Sequence, residues 1–477
     1  MTRGRLGQLG GLFISLSLAL GFYVNCDQMG RVRSLESLNS NSNNPPPGPL
    51  PPNGPPPLPP IDDSIQDKIN QVTRGPYLQM STSHSIVIRW RTSNPTRGRL
   101  RLGPAPDRMV HEFEESQPSR EHEVLATGLR EATRYFYSIG SESGRLAGLN
   151  DQHYFVTHPI IGTVKPTRIW VLGDSGTKDA NARAVRDAYY SKTGNQHTDL
   201  WLMLGDNAYT DGTDTEFQAA VFDMYPRMLR TSALFPTRGN HERDDSPYYQ
   251  IFTMPTKGEA GGLPSGSEAY YSFDYANIHF VCLDSTGSSR LPTSAMAKWL
   301  KDDLANNSAL WTIAYWHHPP YSKGSHDSDS EGALVEMREH FLPILEDYGV
   351  DLVMAGHSHS YERSVLLDGH YGNSSSLRSS MILNTGDGRA NGNGAYQKDH
   401  LAHKGAVYVV AGSSGKVSGG SLNHPVMKVN LRELGSLILE INGNRMDTTF
   451  IRENGDFDDT FTILKNSTQQ RAPADTE

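Results

Sequence analysis

Leu200-Trp201-Leu202-Met203-Leu204-Gly205-Asp206-Asn207-Ala208-Tyr209 joins an unbroken apolar run to a glycine and then to side chains rich in oxygen donors. An apolar run of this length, stopped abruptly by glycine, reads as a strand buried on both faces at the point where it leaves its sheet. The same pattern recurs outward along the chain. Ile169-Trp170-Val171-Leu172 leads into Gly173-Asp174-Ser175-Gly176, and Trp311 to Trp316 into His317-His318-Pro319. Asp351 to Ala355 leads into Gly356-His357-Ser358-His359, and a fifth block reads Gly239-Asn240-His241-Glu242. Polar residues just past strand ends converge at one rim of an open α/β sheet, where such folds place their sites.

The donors are carboxylates, imidazoles, an amide oxygen and a phenol, with no sulfur among them. Such a set suits iron, zinc or manganese. It is too large for one ion, and two ions about 3.5–4 Å apart can clamp an in-line phosphoryl displacement. Taken singly, Asp174 could cap a turn and Tyr209 could simply pack; five blocks in this order say more.

The blocks resemble those of the metallophosphoesterases, and specifically those of the purple acid phosphatases. Most metallophosphoesterases carry a histidine two residues after the first aspartate, where this chain has Gly176; the purple acid phosphatases place a tyrosine three residues after the second, and Tyr209 stands there. The resemblance implies an α/β/β/α sandwich preceded by a small all-β, fibronectin III-like sandwich. It implies Fe(III) held by Asp174, Asp206, Tyr209 and His359. A second divalent metal (Zn, Fe or Mn) would share Asp206 and take Asn240, His317 and His357. His241 and His326 would be the catalytic histidines, with His318 and Glu242 outside the ligand set. Phosphate monoesters would be cleaved by hydroxide generated on the metal, with an acidic optimum and a purple colour. Phosphodiester or nucleotide hydrolysis at the same metals is the alternative, decided by loops such as 257–266 and 386–394. A surface binding module with an inactive catalytic domain is a third reading.

The rest of the chain frames this centre. Residues 1–25 place Arg3 and Arg5 before an apolar core from Leu12 to Val24, the layout of a signal peptide. Cys26 follows at once, so a lipoprotein tether is an alternative to cleavage nearby or to an uncleaved anchor. Either way the protein is expected outside the cytoplasm. Residues 26–66, rich in Ser, Asn and then Pro, read as a disordered spacer. Short alternating strands over 67–158 suggest the β-sandwich around Trp90. The catalytic domain is expected over 165–465, with a mainly parallel core and helices at 180–192, 215–230, 293–306 and 333–348, followed by a frayed tail at 466–477. Cys282, in an apolar strand, reads as a buried thiol, so no disulfide framework is expected. The acidic run Asp327 to Glu331 reads as a solvated loop. A net charge of −9 argues against nucleic acid as the main partner. The expected partner is a small phosphate-ester substrate.

Overall fold

A computed structural model describes residues 60–466. The expected signal peptide, Cys26, most of the spacer and the tail beyond Asn466 lie outside the described residues. Among the described residues no helix is long and apolar enough to cross a membrane.

The all-β N-terminal part begins earlier than residue 67. Ile61 donates its N–H to Met109 at 2.7 Å, and the buried Asp63 carboxylate engages Arg101 and Ser138, so the spacer ends sooner than expected. One sheet holds Val72–Gln79, Ile86–Thr96 and Ser119–Ala126; the other is built on Arg99–Gly103 and Arg134–Ser141. Trp90 is fully buried and stacks on His122 with ring centroids 4.8 Å apart. The outer face of the first sheet is covered along Val72–Gln79 and Ile86–Thr96 but open along Ser119–Ala126. Tyr77 donates to the Ile251 carbonyl at 2.6 Å and Arg89 to that of Gln250 at 2.5 Å, which seats the sandwich on the following domain.

That domain contains two seven-stranded sheets packed face to face. The first runs Ala233–Thr237, Leu200–Leu204, Thr167–Leu172, Gly435–Asn442, Arg445–Arg452, Phe457–Lys465, Tyr396–Lys398. The second runs Tyr271–Tyr275, Ile278–Cys282, Trp311–Trp316, Leu352–Ala355, Val407–Ala411, Tyr361–Ser364, Met427–Leu431. Phe235 stacks on Phe273 at 3.8 Å between the layers, and the Tyr271 hydroxyl reaches the Pro236 carbonyl at 2.7 Å. Helix Ala180–Thr193 covers the outer face of the first sheet, where Tyr189 stacks on Trp170 at 4.2 Å. Helices Ala295–Asn306 and Gly332–Asp347 pack on the second through Trp299, Leu300, Phe341 and Leu345. Every residue of Leu200–Leu204 is buried, because one face meets a helix and the other meets a sheet.

Three expectations change. The core is mixed rather than mainly parallel: parallel strands at the centre of each sheet are flanked by antiparallel partners. One of these is Phe457–Lys465, whose start, with Asp458 and Asp459 after a lone Phe457, hid it. The single helix expected over 215–230 is broken. Asp214–Phe217 runs into a wider turn at Gln218–Phe222, and a new helix starts at Pro226, whose ring nitrogen cannot donate and suits a first turn. Loop 257–266 packs at the starting ends of the strands, with Leu263 N–H on Asp303 at 2.7 Å, and so lies away from the rim that carries the five blocks. Cys282 is buried as expected, and burial pushes its thiol up to about 12.

Candidate metal centre

The five blocks meet at one end of the sandwich, but two sheets deliver them, not one. Asp174, Asp206 and Asn240 follow Thr167–Leu172, Leu200–Leu204 and Ala233–Thr237 of the first sheet; His317 and His357 follow Trp311–Trp316 and Leu352–Ala355 of the second. Asp174, Asp206 and His357 adopt left-handed backbone conformations, with φ of 56°, 51° and 67°. Each costs of order 1 kcal/mol, a strain that persists where surrounding structure enforces a functional geometry.

Glycines make the approach possible. A Cβ on Gly239 would lie 2.2 Å from the Asp206 carboxylate, and one on Gly356 would lie 2.4 Å from that of Asp174. At Gly176 a Cβ would strike the Ala208 nitrogen at 2.5 Å, so no histidine fits the position that other metallophosphoesterases use. Glu242 fixes the loops from within. It is buried, and its carboxylate accepts the backbone N–H groups of Asp206, Asn207, Ala208 and Gly239 at 2.5–3.0 Å.

Two groups of donors result. In one, the Tyr209 hydroxyl lies 3.2 Å from Asp174 Oδ1, 3.0 Å from Asp206 Oδ2 and 3.3 Å from His359 Nε2. In the other, His317 Nε2 lies 2.9 Å from Asn240 Oδ1, 3.2 Å from His357 Nδ1 and 3.4 Å from Asp206 Oδ1. The partners on the far sides of the rings set the tautomers. His317 Nδ1 sits 2.9 Å from the Leu204 carbonyl, and His357 Nε2 sits 2.7 Å from Glu331, so both must donate there. In the neutral rings their other nitrogens then carry lone pairs that face each other. Two imidazole lone pairs aimed at one point with a carboxylate beside them, and a phenol crowded by two carboxylates, are arrays of acceptors that a cation satisfies.

Charge balance agrees. Burial opposes it, but the Asp206 and Asp174 carboxylates lift His317 to about 10, while His317 and His241 hold Asp206 below the usual carboxylate range. Burial, with Asp174 and Asp206 beside it, drives the Tyr209 phenol far above its ordinary value. These acidic groups demand positive charge, which bound metal would supply in place of protons.

Around the donors stand His241 and His326. His241 is about one-third exposed, with Nδ1 at 2.7 Å from the Thr210 carbonyl and Nε2 at 3.9 Å from Asp206. His326 lies ring to ring with His357 at 3.7 Å, and its Nδ1 meets Glu331 at 2.7 Å. Glu331 therefore bridges His326 and His357, which corrects its reading as part of a solvated loop; a run of charges gives no sign of which member turns inward. His318 stays outside the donor groups, with Nδ1 on Ser285 at 2.9 Å. Ser418 at 3.1 Å from His359 Nδ1 and Ser325 at 2.9 Å from the His359 N–H were not foreseen, since an isolated serine carries no signal. A cavity of about 420 Å³ beside Asn240 is lined by Arg238, Arg243, Arg290 and His318 together with Glu242 and Asp244, and the three arginines pair with Asp244, Asp211 and Glu336.

Two signatures match this chain: Calcineurin-like phosphoesterase over residues 167–361, and Purple acid Phosphatase, N-terminal domain, over 74–157. The fold and the rim thus define a calcineurin-like metallophosphoesterase. Purple acid phosphatase 15 of Arabidopsis thaliana is 30% identical over 277 residues (51% of this chain and 49% of the relative), and purple acid phosphatase 1 of Ipomoea batatas is 31% identical over 260 residues, 51% of each. The chain spans about half the length of these curated relatives. The solved purple acid phosphatase PPD1 of yellow lupin shares the fold, with a TM-score of 0.62 at 16% identity over 83% of this chain and 74% of that one. In both its N-terminal and its catalytic part the chain is similar to the purple acid phosphatases.

Proposed function

We propose that the chain is a phosphatase that hydrolyses phosphate monoesters at a two-metal centre. Asp174, Asp206, Tyr209 and His359 would hold Fe(III), and Asp206, Asn240, His317 and His357 a divalent ion (Zn, Fe or Mn). The observation that carries this reading is the Tyr209 phenol set between Asp174, Asp206 and His359. A hard trivalent ion favours such anionic oxygens. Bound metals would supply Lewis acidity toward the phosphoryl oxygens and make water acidic enough to serve as nucleophile at low pH.

The chain's own residues do the rest. Glu242 holds the loops that carry Asp206 and Asn240, so the donors need little reorganisation as charge develops. Thr210 accepts from His241 Nδ1, which leaves Nε2 facing the rim to contact a phosphate oxygen. Glu331 accepts from His326 Nδ1 and so fixes the ring, whose Nε2 would pass a proton to the departing alkoxide. For His326→Asn we expect about a hundredfold loss on alkyl monoesters and a much smaller loss on aryl esters, whose leaving groups need no proton. Equal losses on both would remove the proton-donor role.

Metal analysis and visible absorption of the purified protein test the centre. Iron plus a second metal and a visible band are expected, with the band lost in Tyr209→Phe. A colourless protein, or a band that survives the substitution, would overturn the tyrosinate–iron assignment. Faster turnover of a diester than of the matching monoester would overturn the substrate class.

A further inference from the structure

We propose that the seam between the β-sandwich and the catalytic domain is a second ligand site, for a phosphorylated small molecule carrying an aromatic ring. A cavity of about 560 Å³ opens there, within the range of small-molecule sites. Arg134 and Tyr154 come from the sandwich, and Tyr190, His197, Arg227 and Arg230 come from the catalytic domain.

Three guanidinium groups and one carboxylate, Asp151, therefore line one cavity, and among the described residues none of the three arginines has a carboxylate within ion-pair distance. Instead Arg134 lies 4.6 Å over the Tyr154 ring and Arg227 lies 4.8 Å over that of Tyr190. Stacking occupies a guanidinium face and leaves its N–H edge, the part that forks onto a phosphate, largely available. Arg227 spends one N–H on the Gly194 carbonyl, and Arg230 makes one long contact of 3.4 Å with Gln152.

Two buried polar atoms at the cavity, the Tyr190 hydroxyl and Arg230 Nε, have no partner. Leaving such groups unsatisfied costs about 1–3 kcal/mol each. Burial holds the His197 imidazole down to about 4, so it presents a neutral flat ring beside Tyr154, 5.6 Å between centroids. Cationic edges next to aromatic walls match a phosphate joined to a ring, a nucleoside monophosphate in size and chemistry.

The seam is not an extension of the metal centre. Thr198 borders the cavity at the start of Leu200–Leu204, and Asp206 lies past the end of that strand. The five-residue strand between them spans about 15 Å and ends before the turn at Gly205 and Asp206.

The probe is the phosphonate analogue of AMP, which has no ester to hydrolyse, titrated calorimetrically into the whole protein. We expect binding to wild type, a loss of at least tenfold in affinity in Arg134→Gln/Arg227→Gln, and no more than a twofold change in His317→Ala. The arginine variant should hydrolyse a model monoester within twofold of wild type, which also shows that it is folded. If it does not fold, Tyr190→Phe replaces it and should weaken the probe several-fold. Absence of binding, or binding that survives the arginine changes and disappears with His317→Ala, overturns the site. Inorganic phosphate binding as tightly as the probe overturns the aromatic half of the assignment.

Discussion

Asp206→Asn is expected to lower phosphate monoester hydrolysis by about a thousandfold, equivalent to about 4 kcal/mol of transition-state stabilisation. The substitution nearly preserves shape. Asparagine tolerates the left-handed backbone at φ 51°, and an amide oxygen can still accept the His241 N–H that Oδ1 receives at 3.0 Å. What disappears is the negative charge placed between both donor groups, with Oδ2 at the Tyr209 hydroxyl and Oδ1 facing His317. Neither ion can be held as tightly without it, so the purified variant should carry about one metal per chain or fewer. Two bound metals with activity within tenfold of wild type would show that Asp206 does not bridge.

Asp459→Ala should be the most destabilising single change away from the metal centre. Arg363 and Asp459 have fully buried side chains, joined by Arg363 Nε to Oδ2 at 2.5 Å and Nη2 to Oδ1 at 3.0 Å; the Tyr361 hydroxyl adds 2.7 Å to Oδ2. The pair ties Tyr361–Ser364 of the second sheet to Phe457–Lys465 of the first. Removing the carboxylate strands a buried guanidinium, whose proton the Asp459 contacts now hold firmly against burial, and costs about 3–5 kcal/mol. The denaturant midpoint should fall accordingly, and Arg363→Met/Asp459→Ala should recover much of the loss. A single-variant change below about 1 kcal/mol would mean that water or Tyr396, at 3.0 Å from Arg363 Nη1, replaces the carboxylate.

The candidate site was legible because its chemistry sits in short blocks behind apolar strands. Asp174, Asp206, Tyr209, Asn240, His317, His357 and His359 each follow a strand that ends one to five residues earlier, and the structure brings them together. Glu331, Ser325 and Ser418 were not legible. They reach the donors from loops more than 20 residues away in sequence, and nothing local distinguishes them from surface residues. The same holds for the fold: Leu200–Leu204 announces itself by being apolar throughout, whereas Phe457–Lys465 opens on an exposed phenylalanine and two aspartates and is recognised only by its pairing with Arg445–Arg452.

The amino-acid sequence by itself determined the inventory: buried strands, donors at their ends, glycine at 176 in place of histidine and tyrosine at 209. Those are properties of residue type and spacing. Only the tertiary structure decided that two sheets rather than one meet at the rim, that Glu331 turns inward, and that unpaired arginines gather at the domain seam. Each of those depends on which distant surfaces are buried together, and local hydrophobic pattern carries no information about that.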